Sequence, residues 1–370
     1  MSDPVAEPEK SAPTRAVVLR RLGISLLPLI LFVWVLHAGA LPLIPPKGAL
    51  AHAHWGYLGL YCAIWLVSVF VRAARWTWLL RPIARIPMGA VVRVSLMGSA
   101  ALLLLPMRTG EVVRPLALRK YNVSALSVAG TIGVERIIDG LMVTGLLFVS
   151  LLFGSPGSVG GLDATDQGID PAIATTAAHL ALAVFSAAFA ALALLFWQRE
   201  RVTRILALLT GRKFPRLQRH LISFLDRLTQ GFECLRDVSG ASKYLVVTAI
   251  YWSLYALSIW SIIRCAGIGT IGIIEVCAVT GLLSLGFTLP APPGFFGAYQ
   301  AAFYAGLLLY LPSAQVTTNG SVAVFLSYAV QMILTLSLGA SSLWLERRRA
   351  APPISEPGER RPLAPSPSDG

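Results

Sequence analysis

Apolar residues in this chain form long uninterrupted stretches instead of alternating with polar residues. A helix needs about 20 mainly apolar residues to cross a bilayer, and six stretches approach or exceed that length. They cover about residues 22–41, 55–71, 124–153, 173–197, 244–263 and 321–345. A transmembrane barrel would alternate over about ten residues per strand. The pattern therefore predicts an all-α polytopic membrane protein with about six full spans.

Two further apolar segments, 90–120 and 272–311, are broken by proline. The first stops at Pro106 and the second at the run Pro290–Gly294. Broken segments in the two halves of a chain are typical of transporters whose site lies between them. Irregular backbone is tolerated at membrane depth only inside protein or beside water. We expect two re-entrant hairpins, with two ordinary spans as the alternative for the second segment.

The two broken segments resemble each other in their glycine and proline positions. Gly98–Pro106 is followed by Gly110, and Gly281–Pro290 is followed by Gly294. One copy would enter the membrane from inside and the other from outside, as in an inverted repeat. We therefore predict that the two hairpins belong to an inverted repeat.

Basic residues indicate the orientation. If the N-terminus is cytoplasmic, four loops face outward: 42–54, 154–172, 264–272 and 311–320. Of the 31 Lys and Arg residues, only Lys47 and Arg264 lie in those loops. Positive charge collects on cytoplasmic loops, so both termini are predicted to be cytoplasmic. A full crossing by residues 90–106 would move three basic residues outside and invert the later loops, which favours the first hairpin.

The chain divides into one membrane domain and two tails. Residues 1–17 and 346–370 are polar and contain prolines, which predicts disordered cytoplasmic tails. Residues 18–345 form the transmembrane domain; a cleaved signal peptide is the alternative for its first span. Within it, residues 198–243 carry apolar positions every three or four residues and a basic opposite face. This pattern predicts an amphipathic cytoplasmic segment.

Composition agrees with a membrane protein and excludes several other classes. The chain is 55% hydrophobic and 13% charged, and its net charge of +13 is explained by cytoplasmic loops, so nucleic acid is not an expected partner. The four cysteines form no CxxC pair, so we expect no zinc site and no disulfide framework. The sequence has no GxSxG, P-loop, HExxH or dinucleotide motif. We expect no enzyme activity, no cofactor and no metal.

Arg108, Glu111 and Arg114 follow directly on the break at Pro106. Charge beside a broken apolar segment is costly in a membrane and usually indicates a functional site. At a spacing of three residues the three side chains share one helix face. Arginine binds phosphate oxygens bidentately, so the cluster predicts a cradle for a lipid phosphate. The alternative is an interfacial salt bridge.

Glu135, Arg136 and Asp139 lie deep in the apolar stretch 124–153. Arg136 can reach Asp139 at a spacing of three residues. Charges at this depth normally face the bundle interior and pair. One interpretation is that these three residues belong to the headgroup path or to a proton relay. The alternative is that they form a structural ion pair with the arginines near residues 108–114.

The second hairpin supplies further candidates for the headgroup path. Pro293, Gly294 and Gly297 would open its turn. Tyr299 and Gln300 are then placed to hydrogen-bond a headgroup. A simple turn between two spans is the alternative.

Arg75 and Trp76 lie at the end of the second predicted span. Aromatic and basic residues at a helix end are typical of the membrane interface. The sequence therefore predicts interface anchors, with a role at the headgroup site as the alternative.

Four motifs together resemble the flippase-like family typified by the transmembrane region of lysylphosphatidylglycerol synthases. They lie at residues 72–80, 105–114, 135–139 and 293–300. They occur in the family's order, and the resemblance covers about residues 18–345. It implies a lipid transporter and implies that the residues of these motifs lie along the headgroup path.

The chain departs from the family in two ways. The family's last motif usually reads Pro-Gly-Gly-Leu-Gly followed by a Glu, but here Phe295 replaces a Gly and Gln300 stands where the Glu is expected. If that Glu carries a proton or pairs a cation, this chain lacks that step. Bifunctional members also carry a soluble aminoacyl transferase domain after the membrane region. Because this chain ends in a short proline-rich tail, we expect it to make no aminoacyl lipid.

These observations predict a flippase-like or scramblase-like protein of the bacterial inner membrane. It would move an anionic phospholipid or another lipid-phosphate headgroup between leaflets, with membrane lipids as its partners. The alternative is a non-transporting membrane partner that docks a lipid-modifying or glycosyl-transferring enzyme through residues 198–243. The lipid, the energy source and the oligomeric state stay open.

Overall fold

A computed structural model describes residues 42–154, 238–288 and 292–348, together with the single residues Thr176, Ala183 and Ala187. All regular structure in these ranges is helical, in agreement with the predicted class. The predicted first span, the span 173–197, most of the basic segment and both tails lie outside the described residues, apart from these single positions and the first residues of 346–370.

Seven helices of more than ten residues occur in the described ranges: α1 (Trp55–Leu80), α2 (Met88–Leu104), α3 (Ala125–Phe153), α4 (Val238–Cys265), α5 (Ile273–Gly286), α6 (Ala298–Leu308) and α7 (Ser321–Arg348). Shorter helical turns lie at Ala49–His52, Pro106–Val112, Val113–Ala117, Leu118–Tyr121, Pro293–Phe295, Ser313–Gln315 and Val316–Gly320. Three described helices are long and apolar enough to cross a membrane: Trp55–Leu80, Ser239–Cys265 and Ser313–Arg348. The chain is thus a multi-pass membrane protein.

Helices α1 and α4 pack against each other in opposite directions. Near one end the rings of Tyr57 and Trp260 lie 6.0 Å apart, and near the other Arg75 bonds Thr248 at 3.1 Å. Both helices are apolar around most of their circumference, which is the pattern of helices surrounded by protein or lipid. Helix α1 extends past the predicted end of its span, and its added turns contain Arg72 and Arg75, which pair with Glu135 and Asp139.

The segment 88–121 leaves one end of the bundle and returns to it. Near its start, Arg93 Nε lies 2.6 Å from Glu346 Oε2 in the last turns of α7. Near its end, Lys120 Nζ pairs with the other carboxylate oxygen of Glu346. The segment breaks at Leu105, whose backbone is extended before the proline. The segment therefore doubles back within the protein, and its re-entry into the membrane stays a prediction.

The second broken segment also doubles back. Gly286 on α5 packs against Ala302 on α6, and Gly306 on α6 packs against the backbone of Val279 on α5. The tip between them contains Gly294 and Gly297 at φ values of 77° and 89°, a region that glycine enters without strain. Residues 289–291, with Pro290, lie outside the described ranges.

The two hairpins enter from opposite ends of the bundle. Tyr310, just after α6, bonds Ser150 near the end of α3 at 2.8 Å. Lys120, just before α3, bonds Glu346 at the other end. A helix the length of α3 spans about 40 Å, so these two contacts mark opposite sides. An inverted repeat requires this arrangement; common ancestry of the two hairpins stays a prediction.

Candidate functional site

The centre of the bundle holds a buried arginine. Arg75 is fully buried, and its two terminal nitrogens donate to the two oxygens of Asp139 at 2.7 and 2.6 Å. Arg75 also donates to Thr248 Oγ1 at 3.1 Å, and Trp252 Nε1 donates to Asp139 at 3.1 Å. The expectation that Arg75 anchors the chain at the membrane interface is therefore wrong. Pairing inside the bundle offsets the cost of removing this charge from water.

Glu135 joins three arginines. Its carboxylate accepts from Arg75 Nη2 at 3.3 Å and from Arg114 Nη1 at 2.9 Å, and it lies 4.0 Å from Arg72 Nε. The Arg114 guanidinium stacks 3.8 Å above the ring of Trp76. Trp76 is fully buried, so it too is no interface anchor. The Trp76 ring contacts the flat face of the Arg114 guanidinium, where that group has no N–H to donate, and so makes a cation–π interaction with it.

Glu111 connects the first hairpin to α3. It accepts from Arg108 Nε and Nη2 at 3.0 and 2.6 Å, and Arg136 Nη2 lies 3.1 Å from the same oxygen. Arg108 also donates through Nη1 to the carbonyl oxygen of Phe287, just after α5. One ion cluster thus touches both hairpins and the long helix between them.

The pairings differ from those expected from sequence spacing. Arg136 bonds Glu111 and not Asp139, although Asp139 is three residues away on the same helix. Arg108 and Glu111 do pair, within the short helical turn Pro106–Val112, although Arg108 has a left-handed backbone with φ of 58°. Arg114 follows in an α-helical turn and points inward to Glu135 instead.

Two neighbouring ion clusters, together called the ion network, contain more arginines than carboxylates. The first cluster joins Arg72, Arg75 and Arg114 to Glu135 and Asp139, and the second joins Arg108 and Arg136 to Glu111. Glu135 and Arg136 are adjacent in the chain. Among the described residues, five guanidinium groups in these clusters face three carboxylates, so two positive charges are unbalanced. An uncompensated charge is expensive in a low-dielectric environment. The site is therefore electrostatically suited to an anion.

A cavity of about 230 Å³ adjoins this network. Three arginines and one carboxylate of the network line it: Arg72, Arg108, Arg136 and Asp139. The rest of its wall combines aromatic, hydroxyl-bearing and aliphatic residues: Trp65, Tyr251, Trp252, Tyr255, Ser68, Ser99, Ser284, Thr288, Thr335, Val69, Leu96, Leu102, Leu103, Val143, Leu285 and Leu338. Phe287 and Phe295 from the tip of the second hairpin close it together with Gln331 of α7. The cavity is thus charged on part of its wall and mostly apolar on the rest, where a few hydroxyl groups interrupt aromatic and aliphatic side chains.

A second, more open groove of about 770 Å³ lies on the other side of the Glu111–Arg136 pair. Most of its lining is apolar, including Leu116, Leu126 and Ile132. Arg136 lines both the cavity and the groove. The ion pair therefore lies between the internal cavity and the more open groove.

The predicted residues of the second hairpin shape its tip and do not line the cavity. Gln300 Oε1 accepts from the backbone N–H of Gly297 at 2.7 Å and so caps α6. Tyr299 donates to Ser327 Oγ at 2.8 Å, and the Gly294 carbonyl accepts from Tyr328 at 3.1 Å. Pro293 begins the 3₁₀ turn between them. In the first hairpin, Gly110 packs closely against the backbone of α2.

Several lining residues were not among the candidates predicted from sequence. Arg72 lies one turn before Arg75, and Tyr251, Trp252 and Tyr255 share one face of α4. A signal existed, because polar aromatic residues at helical spacing inside a span favour a bundle interior. Among the described residues there is no group of three or more His, Cys, Asp or Glu that could hold a metal ion.

The sequence of this chain matches one known protein family. Over residues 16–335 the chain matches the family described as Lysylphosphatidylglycerol synthase TM region. The chain belongs to this family. The match contains every residue of the buried network and confirms the resemblance of the four motifs. Neither the curated proteins nor the solved structures gave a match. Membership supports a membrane protein related to lipid-modifying and flippase-like domains, whose partners include membrane lipids.

Proposed function

We propose that the protein moves a lipid with an anionic phosphate headgroup between the two leaflets of a bacterial inner membrane. The observation that carries this proposal is the excess of two arginine charges, among the described residues, in the ion network that adjoins an internal cavity. A phosphate brings the missing negative charge, and a guanidinium binds it in a planar, bidentate geometry.

Three cavity arginines are suited to hold the phosphate. Arg72, Arg108 and Arg136 line the chamber from α1, the first hairpin and α3. Buried Arg136 Nε has no hydrogen-bond partner among the described residues. A buried donor without a partner costs about 1–3 kcal/mol, so an anion that accepts from it would recover that free energy.

The apolar groove would hold the acyl chains of the lipid. Because Arg136 lines both spaces, a phosphate beside it would leave the acyl chains in the groove, against lipid. Opening of the Glu111–Arg136 pair would let the headgroup pass. The sequence carries no nucleotide-binding motif, so we expect facilitated or ion-coupled movement and no covalent chemistry.

The basic cytoplasmic loops support an orientation with both termini in the cytoplasm. Of all 31 basic residues, only Lys47 and Arg264 lie in the loops that would face outward. Basic residues at the cytoplasmic side also attract anionic headgroups to the entrance.

Lipid movement in liposomes tests the proposal. Purified protein is reconstituted with fluorescent phosphatidylglycerol, and a membrane-impermeant quencher reports the leaflet exchange. We expect wild type to exchange lipid, and we expect Arg108→Gln and Arg136→Gln to lower the rate at least about tenfold, the effect of about 1.4 kcal/mol. Arg81→Gln is the matched control, because Arg81 is exposed at the end of α1 and lies outside the network.

Two results would contradict the proposal. The first is exchange by folded wild type no faster than in empty liposomes for every anionic lipid tested. The second is an equal loss in all three glutamine variants, which would show that the network arginines have no special role.

A further inference from the structure

Two bulky residues with a left-handed backbone lie at the tips of the two hairpins. Arg108 in the first hairpin has a φ of 58°, and Phe295 in the second has a φ of 54°. Asn122 is the other non-glycine residue with a positive φ in the described ranges, and asparagine enters this region more readily than a bulky residue does. Strain of this kind persists only where surrounding contacts hold it, and it is typical of ligand clamps and switches. Arg108 and Phe295 both line the cavity.

Phe287 connects the two strained residues. Its carbonyl oxygen accepts from Arg108 Nη1, and its ring meets the Phe295 ring edge to face, with centroids 5.1 Å apart. The centroid of the Phe287 ring also lies 5.6 Å from that of Tyr299 on α6. A movement of Phe287 therefore disturbs the tip of the second hairpin and the start of α6. These contacts between Arg108, Phe287 and Phe295 are called the latch.

The latch uses the C-terminal end of α5. Phe287 is the C-cap residue of that helix, and the last carbonyls of a helix have no donor within it. Arg108 supplies a donor from the other hairpin. The C-terminal end of a helix also carries a partial negative charge, which attracts a cation and repels an anion. An anion in the cavity and the end of α5 therefore compete for the same guanidinium.

The bond to Phe287 is the weaker of the two attachments of Arg108. Arg108 Nε and Nη2 donate to Glu111 at 3.0 and 2.6 Å, and both groups carry a charge. Glu111 is held in addition by Arg136, whose Nη2 lies 3.1 Å from the same oxygen. The Phe287 carbonyl is uncharged, and a charged acceptor makes the stronger bond to a guanidinium. Because the guanidinium is a rigid plane, turning its Nη1 toward an anion moves it away from Phe287.

From these features we infer that the latch is an anion-sensitive switch. A phosphate that binds Arg108 in the cavity breaks the bond from Arg108 to Phe287, and the relaxation of Phe295 then frees the tip of the second hairpin. The inference rests on the proposed function and adds a coupling between headgroup binding and movement of that hairpin. A ligand shifts such an equilibrium only by binding one state more tightly. The anion binds the released state more tightly, because the negative end of α5 no longer shares its arginine.

Hydrogen–deuterium exchange of the detergent-solubilised full chain tests the latch. The probes are dioctanoyl phosphatidylglycerol, dioctanoylglycerol as its uncharged match, and inorganic phosphate. Because exchange follows local opening, we expect saturating phosphatidylglycerol to speed exchange at least about threefold in residues 292–301 and to leave α4 unchanged. Dioctanoylglycerol should have no effect. A ligand that only filled the cavity would slow exchange in the residues around it. Lipid binding is measured separately by calorimetry.

Variants assign the response to the latch. Phe295→Gly removes the strain, because glycine adopts a positive φ freely, and it also removes the ring contact with Phe287. With the variant saturated by lipid, the acceleration should fall below about 1.5-fold. Phe287→Ala keeps the carbonyl and removes the ring, so it should give the same loss if Phe295→Gly does not fold. Phe70→Ala is the matched control and should keep the full acceleration, because Phe70 is 44% exposed on α1 and lies outside the cavity.

Different failures have different meanings. If phosphatidylglycerol binds but exchange in residues 292–301 is unchanged or slower, the latch is overturned and the proposed function stands. Equal acceleration by dioctanoylglycerol, or full acceleration in both Phe295→Gly and Phe287→Ala, would also overturn the latch. Acceleration by inorganic phosphate as large as that by the lipid would support the latch and contradict a lipid as its trigger. No binding of phosphatidylglycerol would overturn the proposed function itself.

Discussion

Arg108 on the first hairpin donates through Nη1 to the carbonyl oxygen of Phe287 on the second, 179 residues later in the chain. The same guanidinium donates twice to Glu111, at 3.0 and 2.6 Å. One side chain therefore joins the tips of both hairpins and connects them to the ion network. Because Arg108 also lines the cavity, an anion that binds it would compete for the donors that hold the tips together.

Replacing Arg108 should loosen the second hairpin. Arg108→Ala removes the donor to Phe287, and a hydrogen bond from a charged group contributes about 1.5–3 kcal/mol. We expect faster hydrogen–deuterium exchange in residues 282–297, with little change in α4. Exchange is measured by mass spectrometry, with Arg81→Ala as the control. Unchanged protection of the hairpin would show that the contact does not hold the tips.

Removing Asp139 should destabilise the whole bundle. Asp139→Ala leaves the fully buried Arg75 without its bidentate partner, and breaking a buried pair in this way costs about 3–5 kcal/mol. The double variant Arg75→Leu with Asp139→Leu should be less damaging, because no buried charge is left alone. Thermal unfolding in detergent compares the two, with Glu275→Gln as an outlying control. A double variant less stable than the single one would refute this account.

If the segment 88–121 is a re-entrant hairpin, residues just before it and near its end should be accessible from the same side of the membrane. Arg81 is exposed just before the segment 88–121, and Arg119 is exposed near the end of that segment. Lys47 is exposed near the opposite end of the helix bundle. In a cysteine-free background, cysteines at positions 81 and 119 should both react with an impermeant maleimide only in inside-out vesicles. A cysteine at position 47 should react in intact spheroplasts. Labelling of positions 81 and 119 from opposite sides would mean that the segment crosses the membrane.

Gly294 should not tolerate a side chain. Its φ is +77°, and a Cβ there would lie 2.7 Å from Met332 Cε and 3.0 Å from the Tyr328 hydroxyl. Backbone strain of this kind costs about 1–3 kcal/mol, so Gly294→Ala should lower the unfolding temperature. Gly59→Ala is the matched control, since a Cβ at Gly59 meets nothing within 4 Å. A helical glycine replaced by alanine gains about 0.5–1 kcal/mol, so this control should be neutral or stabilising.

Much of the fold could be predicted from the sequence. The spans predicted at 55–71, 124–153, 244–263 and 321–345 correspond to α1, α3, α4 and α7. Hydropathy and proline breaks are local properties of the chain, so they predict where helices run and where they end. The break at Pro106 followed by charge singled out Arg108 and Glu111, which pair with each other in the structure; their contact with a headgroup stays a prediction.

The pairing within the site could not be predicted in the same way. Sequence spacing assigns Arg136 to Asp139, but neighbouring helices offer each of them a different partner, Glu111 and Arg75. Gln300 was a candidate for headgroup binding, yet its side chain caps its own helix. Whether such residues bind a headgroup stays a prediction.

The amino-acid sequence by itself determined that this is a membrane protein and which family it belongs to. It also determined where the apolar helices lie, where proline interrupts them and which charged residues stand within or beside them. Only the tertiary structure decided that Arg75 and Trp76 are buried and that two ion clusters, with five arginines and three carboxylates among the described residues, lie beside one cavity. The physical reason is that hydropathy depends on residues close in sequence. Charge balance depends on which helices become neighbours and how each is rotated, because a buried ion bonds whatever partner lies within about 3 Å of it.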